Sequence, residues 1–202
     1  DMILEAFEQH CQSHSITPTV KRQTGIISNI ISDEAKRSDL VIVAQRGEHA
    51  QWSTGLLGST AESVVRKAPR PVLVTPNEFR KIKNILIAYD GSVESNKALK
   101  TVCENFAMDD NNLSVVFVTQ DENRNNDLQN EVCEFVNHYK IDVGTVWLQG
   151  EAGKEILHYA DTHNIDLIVM GAFGHSRIHD LILGGTTAYI IRQSTIPILL
   201  NR

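Results

Sequence analysis

The order of features between Asp166 and Leu200, DLIVMGAFGHSRIHDLILGGTTAYIIRQSTIPILL, occurs twice in this chain, and that repetition limits the possible folds more than any other feature. The second copy opens with the apolar run Leu167 to Met170, of a length and composition suited to a strand buried on both faces. Gly171 and Gly174 follow, then a polar stretch, the pair Gly184-Gly185, Thr186, Thr187 and a helix-like segment from Ala188 to Gln193. Pro197 opens a last apolar strand over residues 196–200, a position where a strand tolerates proline. The earlier copy runs DLVIVA at 39–44, a loop with Arg46, Gly47 and Trp52, a helix starting near Ser59, and a strand Val72–Thr75 bounded by prolines. Gly58 and Gly184, Arg66 and Arg192, and Pro71 and Pro197 share one constant offset. The pair Asp39 and Asp166 lies one residue further apart, so the first copy has one extra loop residue. Two copies of one unit, residues 1–78 and 79–202, account for the chain better than one continuous domain.

The second copy reads as a complete set of alternating elements. Strands are expected at 82–88, 113–118, 143–148, 167–170 and 196–200, with helices after Ser92, at 128–139, at 153–163 and at 188–193. Residues 121–127 are charged and asparagine-rich and read as a loop. Five strands alternating with four helices imply a parallel, doubly wound sheet, whose ligands sit at the carboxyl ends of strands where the winding reverses. Asp90 falls at such an end, immediately after the first strand of the copy; it suits a ligand, a helix cap or a turn.

The first copy reads as part of the same unit. Ile3, Leu4, Phe7 and Cys11 share a helical face, PTVKRQT at 18–24 reads as a short strand, and a helix over 25–37 places Ile26, Ile27, Ile30 and Ile31 inward. DLVIVA reads as a buried strand. Nothing in this sequence supplies the strand, aspartate, helix and second strand that open the other copy. Upstream residues, another chain or a rearranged half would have to fill their place, because unpaired backbone groups inside a sheet are costly.

The glycines carry the candidate chemistry. Gly171 and Gly174 allow a ligand close to the backbone, or simply make turns. A Gly-Gly-Thr-Thr helix start presents free N–H groups, a helix dipole and hydroxyls, a combination suited to phosphate. The spacing G-x2-G-x9-G, met by Gly171, Gly174 and Gly184, resembles the nucleotide-binding signature of the ATP-binding universal stress proteins. Gly185 stands where that family usually has Ser or Thr.

The resemblance covers the whole second copy. It implies two tandem units of the α/β, doubly wound, adenine nucleotide alpha hydrolase-like fold, the first incomplete, with sheet order 3-2-1-4-5. It also implies a site for ATP with Mg²⁺ formed by Ala88, Asp90, Val118, Met170, Gly171, Gly174, Gly184, Gly185, Thr186 and Thr187. Asp90 would lie on the ribose and metal side, and the backbone of Val118 against the adenine. In the first copy Ala44 replaces the first glycine and ten residues, rather than nine, separate Gly47 from Gly58. That copy, with no counterpart of Asp90, is expected to bind nucleotide poorly. The family pairs units through their last strands, so Val72–Val74 is expected antiparallel to Ile198–Leu200, and whole chains are expected to form homodimers.

Other motifs give less. No Walker A, G-x-S-x-G, HExxH or CxxC pattern occurs. His175 and His179 have metal spacing for a helix but fall in the loop, Arg177 between them could reach a phosphate, and Ser59 with Glu62 reads as a helix cap. A regulatory ATP-binding protein of the stress response is favoured over an ATP-cleaving or nucleotidyl-transferring enzyme, since no motif sets a general base or nucleophile beside the phosphates. Gly185 keeps a nucleotide-free interaction module as the third reading. A net charge of −6 without a long basic run argues against nucleic acid as a partner. The absence of an apolar run near 20 residues argues against a membrane. Three scattered cysteines, Cys11, Cys103 and Cys133, suit reduced thiols and the cytoplasm.

Overall fold

The computed structural model describes residues 2–46, 59–106, 111–119, 121–172 and 185–202. Strands β1 (Val41–Ala44), β2 (Val72–Thr75), β3 (Asn84–Ala88), β4 (Asn112–Val118), β5 (Gly144–Leu148), β6 (Leu167–Gly171) and β7 (Ile198–Asn201) form one sheet. Their order is β1-β2-β7-β6-β3-β4-β5. Every neighbouring pair is parallel except β2 and β7, which run antiparallel with Val72 opposite Leu200, Leu73 opposite Leu199 and Val74 opposite Ile198. From β3 to β7 the order is that of a complete five-stranded unit, and β1 and β2 repeat its last two strands. The two copies therefore join edge to edge through their final strands, where apolar strands would otherwise leave ladder groups unpaired.

Helices cover the two faces unequally. On one face lie α2 (Ile27–Ala35), α3 (Ser59–Lys67), α6 (Ala152–Thr162) and α7 (Gly185–Gln193), which bury Ala35, Val64, Ile156 and Ile190 against Leu86, Ile168 and Ile198. On the other lie α4 (Val93–Asn105) and α5 (Glu122–Tyr139), whose Leu99, Val102, Val132 and Val136 bury Ile85, Ile87, Phe117, Val169 and Leu199. Among the described residues α4 has no counterpart in the first copy, whereas α1 (Met2–Ser13) holds the place of α5 in the element order. Val169 on β6 is fully buried beneath α4, whereas Ile42, which holds the matching place on β1, is 65% exposed. The helix α1 has no buried residue.

Four expectations need correction. Residues 18–24 form no strand; the two strands that would separate them from β1 are missing, and an extended segment without a ladder partner gains nothing from strand geometry. DLVIVA is a strand only over 41–44 and is covered on one face. Ile26 and Ile27 of the second helix point outward; Ile31 packs against the core as expected, but Ser28 and Ala35 complete the inward stripe, because among the described residues α3 is the helix's main neighbour and selects a narrower stripe. Residues 122–127 belong to α5; the anchoring of Leu128, Val132 and Val136 lets the helix propagate back through residues that alone favour a turn. Among the described residues, no helix is long and apolar enough to cross a membrane.

Candidate functional site

The winding reverses between β3 and β6. From β3 the chain passes through α4 and α5 on one face to β4 and β5, then returns through α6 on the other face to β6. The carboxyl ends of β3 and β6 thus border the crevice in which sheets of this type bind ligands. Ala88 ends β3 directly opposite Met170 of β6 and Val116 of β4. Val118 closes β4 two residues on, opposite Leu148 of β5. Gly171 closes β6, opposite Asn201 of β7, and the next N–H, that of Ala172, donates to the Asn201 carbonyl at 2.7 Å.

Asp90 is exposed two residues beyond Ala88, in a turn built by its own side chain. Its Oδ1 accepts the Ser92 N–H at 3.0 Å, and Gly91 between them takes the left-handed backbone with φ +77°. Ser92 then caps α4, its hydroxyl accepting the Ser95 N–H at 3.1 Å. Tyr89, on the other side of Asp90, is buried, and its hydroxyl donates to Asn96 Oδ1 at 2.9 Å. The Asn96 amide donates in turn to the Ser92 carbonyl at 3.1 Å and to Glu131 Oε1 of α5 at 3.2 Å. Burial first, and the Glu131 carboxylate second, push the Tyr89 hydroxyl well above its ordinary range. This network fixes the Asp90 turn between two helices. Its members Tyr89, Asn96 and Glu131 carried no sequence motif, and the cap of α4 is Ser92 rather than Asp90, which the sequence offered for that role.

Gly171 has a packing role. A Cβ built there would lie 2.6 Å from the Ser95 nitrogen and 2.7 Å from the Glu94 carbonyl carbon, so the first turn of α4 rests directly on the end of β6. Among the described residues no counterpart of α4 stands over β1, and Ala44, the counterpart of Gly171, is accommodated there and exposed. The replacement of the first glycine in the first copy thus has a steric explanation. At Gly185, by contrast, a Cβ would meet no described atom within 4 Å. Gly185 and Thr186 are exposed at the start of α7, while Thr187 is buried. Thr186 is therefore the hydroxyl of the pair that can face a ligand.

The fold brings Ala88, Asp90, Met170 and Gly171 to one pair of strand ends, with Val118 at the adjoining strand. Gly174 and Gly184 lie outside the described residues, as do His175, Arg177, His179, Gly47, Trp52 and Gly58.

Comparison with known proteins follows the same lines. The sequence model of the Universal stress protein family matches residues 4–76 and 120–202. The universal stress protein Slr1230 of Synechocystis sp. is 35% identical over 188 residues, which are 91% of this chain and 64% of that protein. The chain therefore spans less than two thirds of the length of that relative. Among solved structures, a universal stress protein from Archaeoglobus fulgidus superposes with a TM-score of 0.81 at 23% identity, over 100% of this chain and 75% of its own. A universal stress protein in complex with cAMP superposes with a TM-score of 0.51 at 19% identity, over 59% of this chain and 97% of its own. Both likenesses concern the fold. With a tandem sequence match and a relative above 30% identity along most of its length, this chain belongs to the universal stress protein family.

Proposed function

We propose that this chain is a regulatory protein of the stress response that binds ATP, with Mg²⁺, in the second of two units taken as residues 1–78 and 79–202. The observation that carries the reading is the meeting of Asp90 and Gly171 at the strand ends where the winding reverses, with Ala88 opposite Met170. The donor set suits a nucleotide. Asp90 offers an exposed carboxylate for the ribose and, indirectly, the metal; Gly185 and Thr186 open a nine-residue helix whose first N–H groups lack intrahelical partners. The Val118 backbone and the small Ala88 side chain would border the base. Bound Mg²⁺ would offset phosphate charge. A relative's complex with cAMP supports an adenine nucleotide as the ligand class.

Calorimetric titration of the full chain with ATP in the presence of Mg²⁺ tests this reading. The expected stoichiometry is one ATP per chain, with Asp90→Ala weakening binding at least tenfold and ATP recovered intact after hours. Two equal sites per chain, or an Asp90→Ala variant that binds as the parent does, would overturn it.

Two chains would associate through the uncovered side of the first unit, where β1 pairs with β2 alone among the described strands and Ile42 is exposed. Sedimentation should show a dimer that Ile42→Lys dissociates; a monomeric parent would refute this assembly.

A further inference from the structure

The C-terminal turn of α1 sets two imidazoles side by side. His10 lies in the last turn of the helix, and the His14 N–H donates to the Cys11 carbonyl at 3.0 Å, so the chain is still wound where it reaches His14. The two rings therefore stand one turn apart, with their centres separated by 4.7 Å. That is within the span of two imidazoles whose nitrogens each lie about 2.0–2.1 Å from one ion. Histidines four residues apart are also the spacing by which a helix offers two ligands to a single zinc ion.

One of the two rings is already oriented as a ligand. His14 Nδ1 lies 3.0 Å from the His10 carbonyl oxygen and 3.0 Å from the Ser13 hydroxyl. A carbonyl oxygen only accepts, and the Ser13 hydroxyl donates its own proton to the same carbonyl at 2.7 Å, so Nδ1 carries the hydrogen. In the neutral ring Nε2 is then a bare lone pair. One nitrogen held by a backbone carbonyl while the other stays open is the outer arrangement that metal-binding histidines share. Both residues are exposed, and among the described residues no third His, Cys, Asp or Glu completes the group.

The end of α6 supplies an internal control. It carries Tyr159, Thr162 and His163 where α1 carries His10, Ser13 and His14. His163 Nδ1 again lies 3.0 Å from the carbonyl four residues back, and its ring stacks on Tyr159 with centres 3.8 Å apart. A helix end of this build thus needs one histidine only. The second imidazole of α1 is no requirement of the turn.

The helix that carries the pair is also the one most open to being held by an ion. It has no buried residue, and a 12-residue helix without a packed face is marginal in water. A link from His10 to His14 forms only when the last turn is wound, so binding and winding are coupled. We propose that His10 and His14 form a two-ligand site for a divalent transition metal such as zinc, with water completing the coordination, and that occupancy holds the end of α1. Imidazole donors suit zinc, nickel and copper, whereas Mg²⁺ and Ca²⁺ take oxygen ligands. The site shares no residue with the strand ends assigned to ATP.

The test is a titration of the isotope-labelled full chain with Zn²⁺, followed by nuclear magnetic resonance and amide hydrogen exchange. The expected result is a saturable shift of the His10 and His14 ring signals at one ion per pair. With Zn²⁺ in excess, exchange of the amides of residues 11–14 should slow at least fivefold, while residues 160–163 at the end of α6 are unaffected. His10→Ala should lose both effects with α1 intact, since it removes no buried side chain and alanine is the better helix former. His10→Tyr, which copies the end of α6, should keep the turn and lose the response to zinc. Shifts confined to other histidines, unchanged exchange at residues 11–14, or a His10→Ala variant that responds as the parent does would each overturn the proposal.

Discussion

Replacing Gly171 by alanine should lower the stability of the whole chain, and the structure sets the size of the effect. The new methyl carbon would lie 2.6, 2.7 and 2.8 Å from the Ser95 nitrogen, the Glu94 carbonyl carbon and the Glu94 Cβ, where unstrained contacts need about 3.5 Å. Two of the three are backbone atoms, so no side-chain rotation relieves the overlap. The first turn of α4 is itself braced, since the Ser95 hydroxyl donates to the Ser92 carbonyl at 2.9 Å and Ser95 is buried. Relief therefore requires the helix to retreat by somewhat under ~1 Å, loosening Ala98, Leu99 and Val102 over Val169. Overpacking of this kind costs about 1–3 kcal/mol. For a chain of this length that is a fall in melting temperature of roughly 3–10 °C. Urea unfolding should show a lower midpoint at unchanged slope. Gly185→Ala is the control, expected to be neutral or slightly stabilising because its Cβ would meet no described atom and alanine favours the helix. A Gly171→Ala variant as stable as the parent, but unable to bind ATP, would refute the packing argument and return Gly171 to a purely ligand-facing role.

Two further outcomes follow from the same contacts. Leu199→Lys puts an ammonium between Leu73 and Val169 at a side chain 1% exposed, and should cost more than about 3 kcal/mol; a variant whose urea midpoint matches the parent's would refute the seam as a source of stability. Burial, with Glu104 adding to it, pushes the Cys103 thiol up to about 11 from 9.0, and burial raises the Tyr89 hydroxyl as well. Both groups hold their protons more tightly when folded, so their contribution is complete below pH 9 and is lost as pH rises toward 11. The urea midpoint should decline over that interval, less so in Cys103→Ala, and a midpoint constant up to pH 11 would contradict the burial argument.

Much of the fold was legible in the sequence because its cues are local. Alternating apolar runs and turn residues marked the strands of the second copy to within a few residues, and its helices likewise except for the start of α5. The constant offset between Pro71 and Pro197 showed that β2 and β7 are the same element twice. With the family resemblance, that was enough to expect their antiparallel pairing. The strand-end position of Asp90 could also be read, since it needs only the boundary of β3. The outward turn of Ile26 and Ile27 could not, because an amphipathic pattern names an apolar stripe without naming the neighbour that covers it. The same limit made Ile42 look buried: the run VIVA has the composition of β6, but among the described residues no counterpart of α4 lies over it.

Gly171 shows most plainly what the tertiary structure alone decided. Its place in a glycine spacing suggested a ligand, and the spacing is real. Yet the atoms that exclude a side chain there belong to Glu94 and Ser95, far away in the chain and brought close only when α4 settles on β6. The Tyr89, Asn96 and Glu131 network is of the same kind. Local sequence encodes which residues can form an element and where it must stop. Which backbone atoms meet across two elements depends on contacts that exist only after the sheet is assembled.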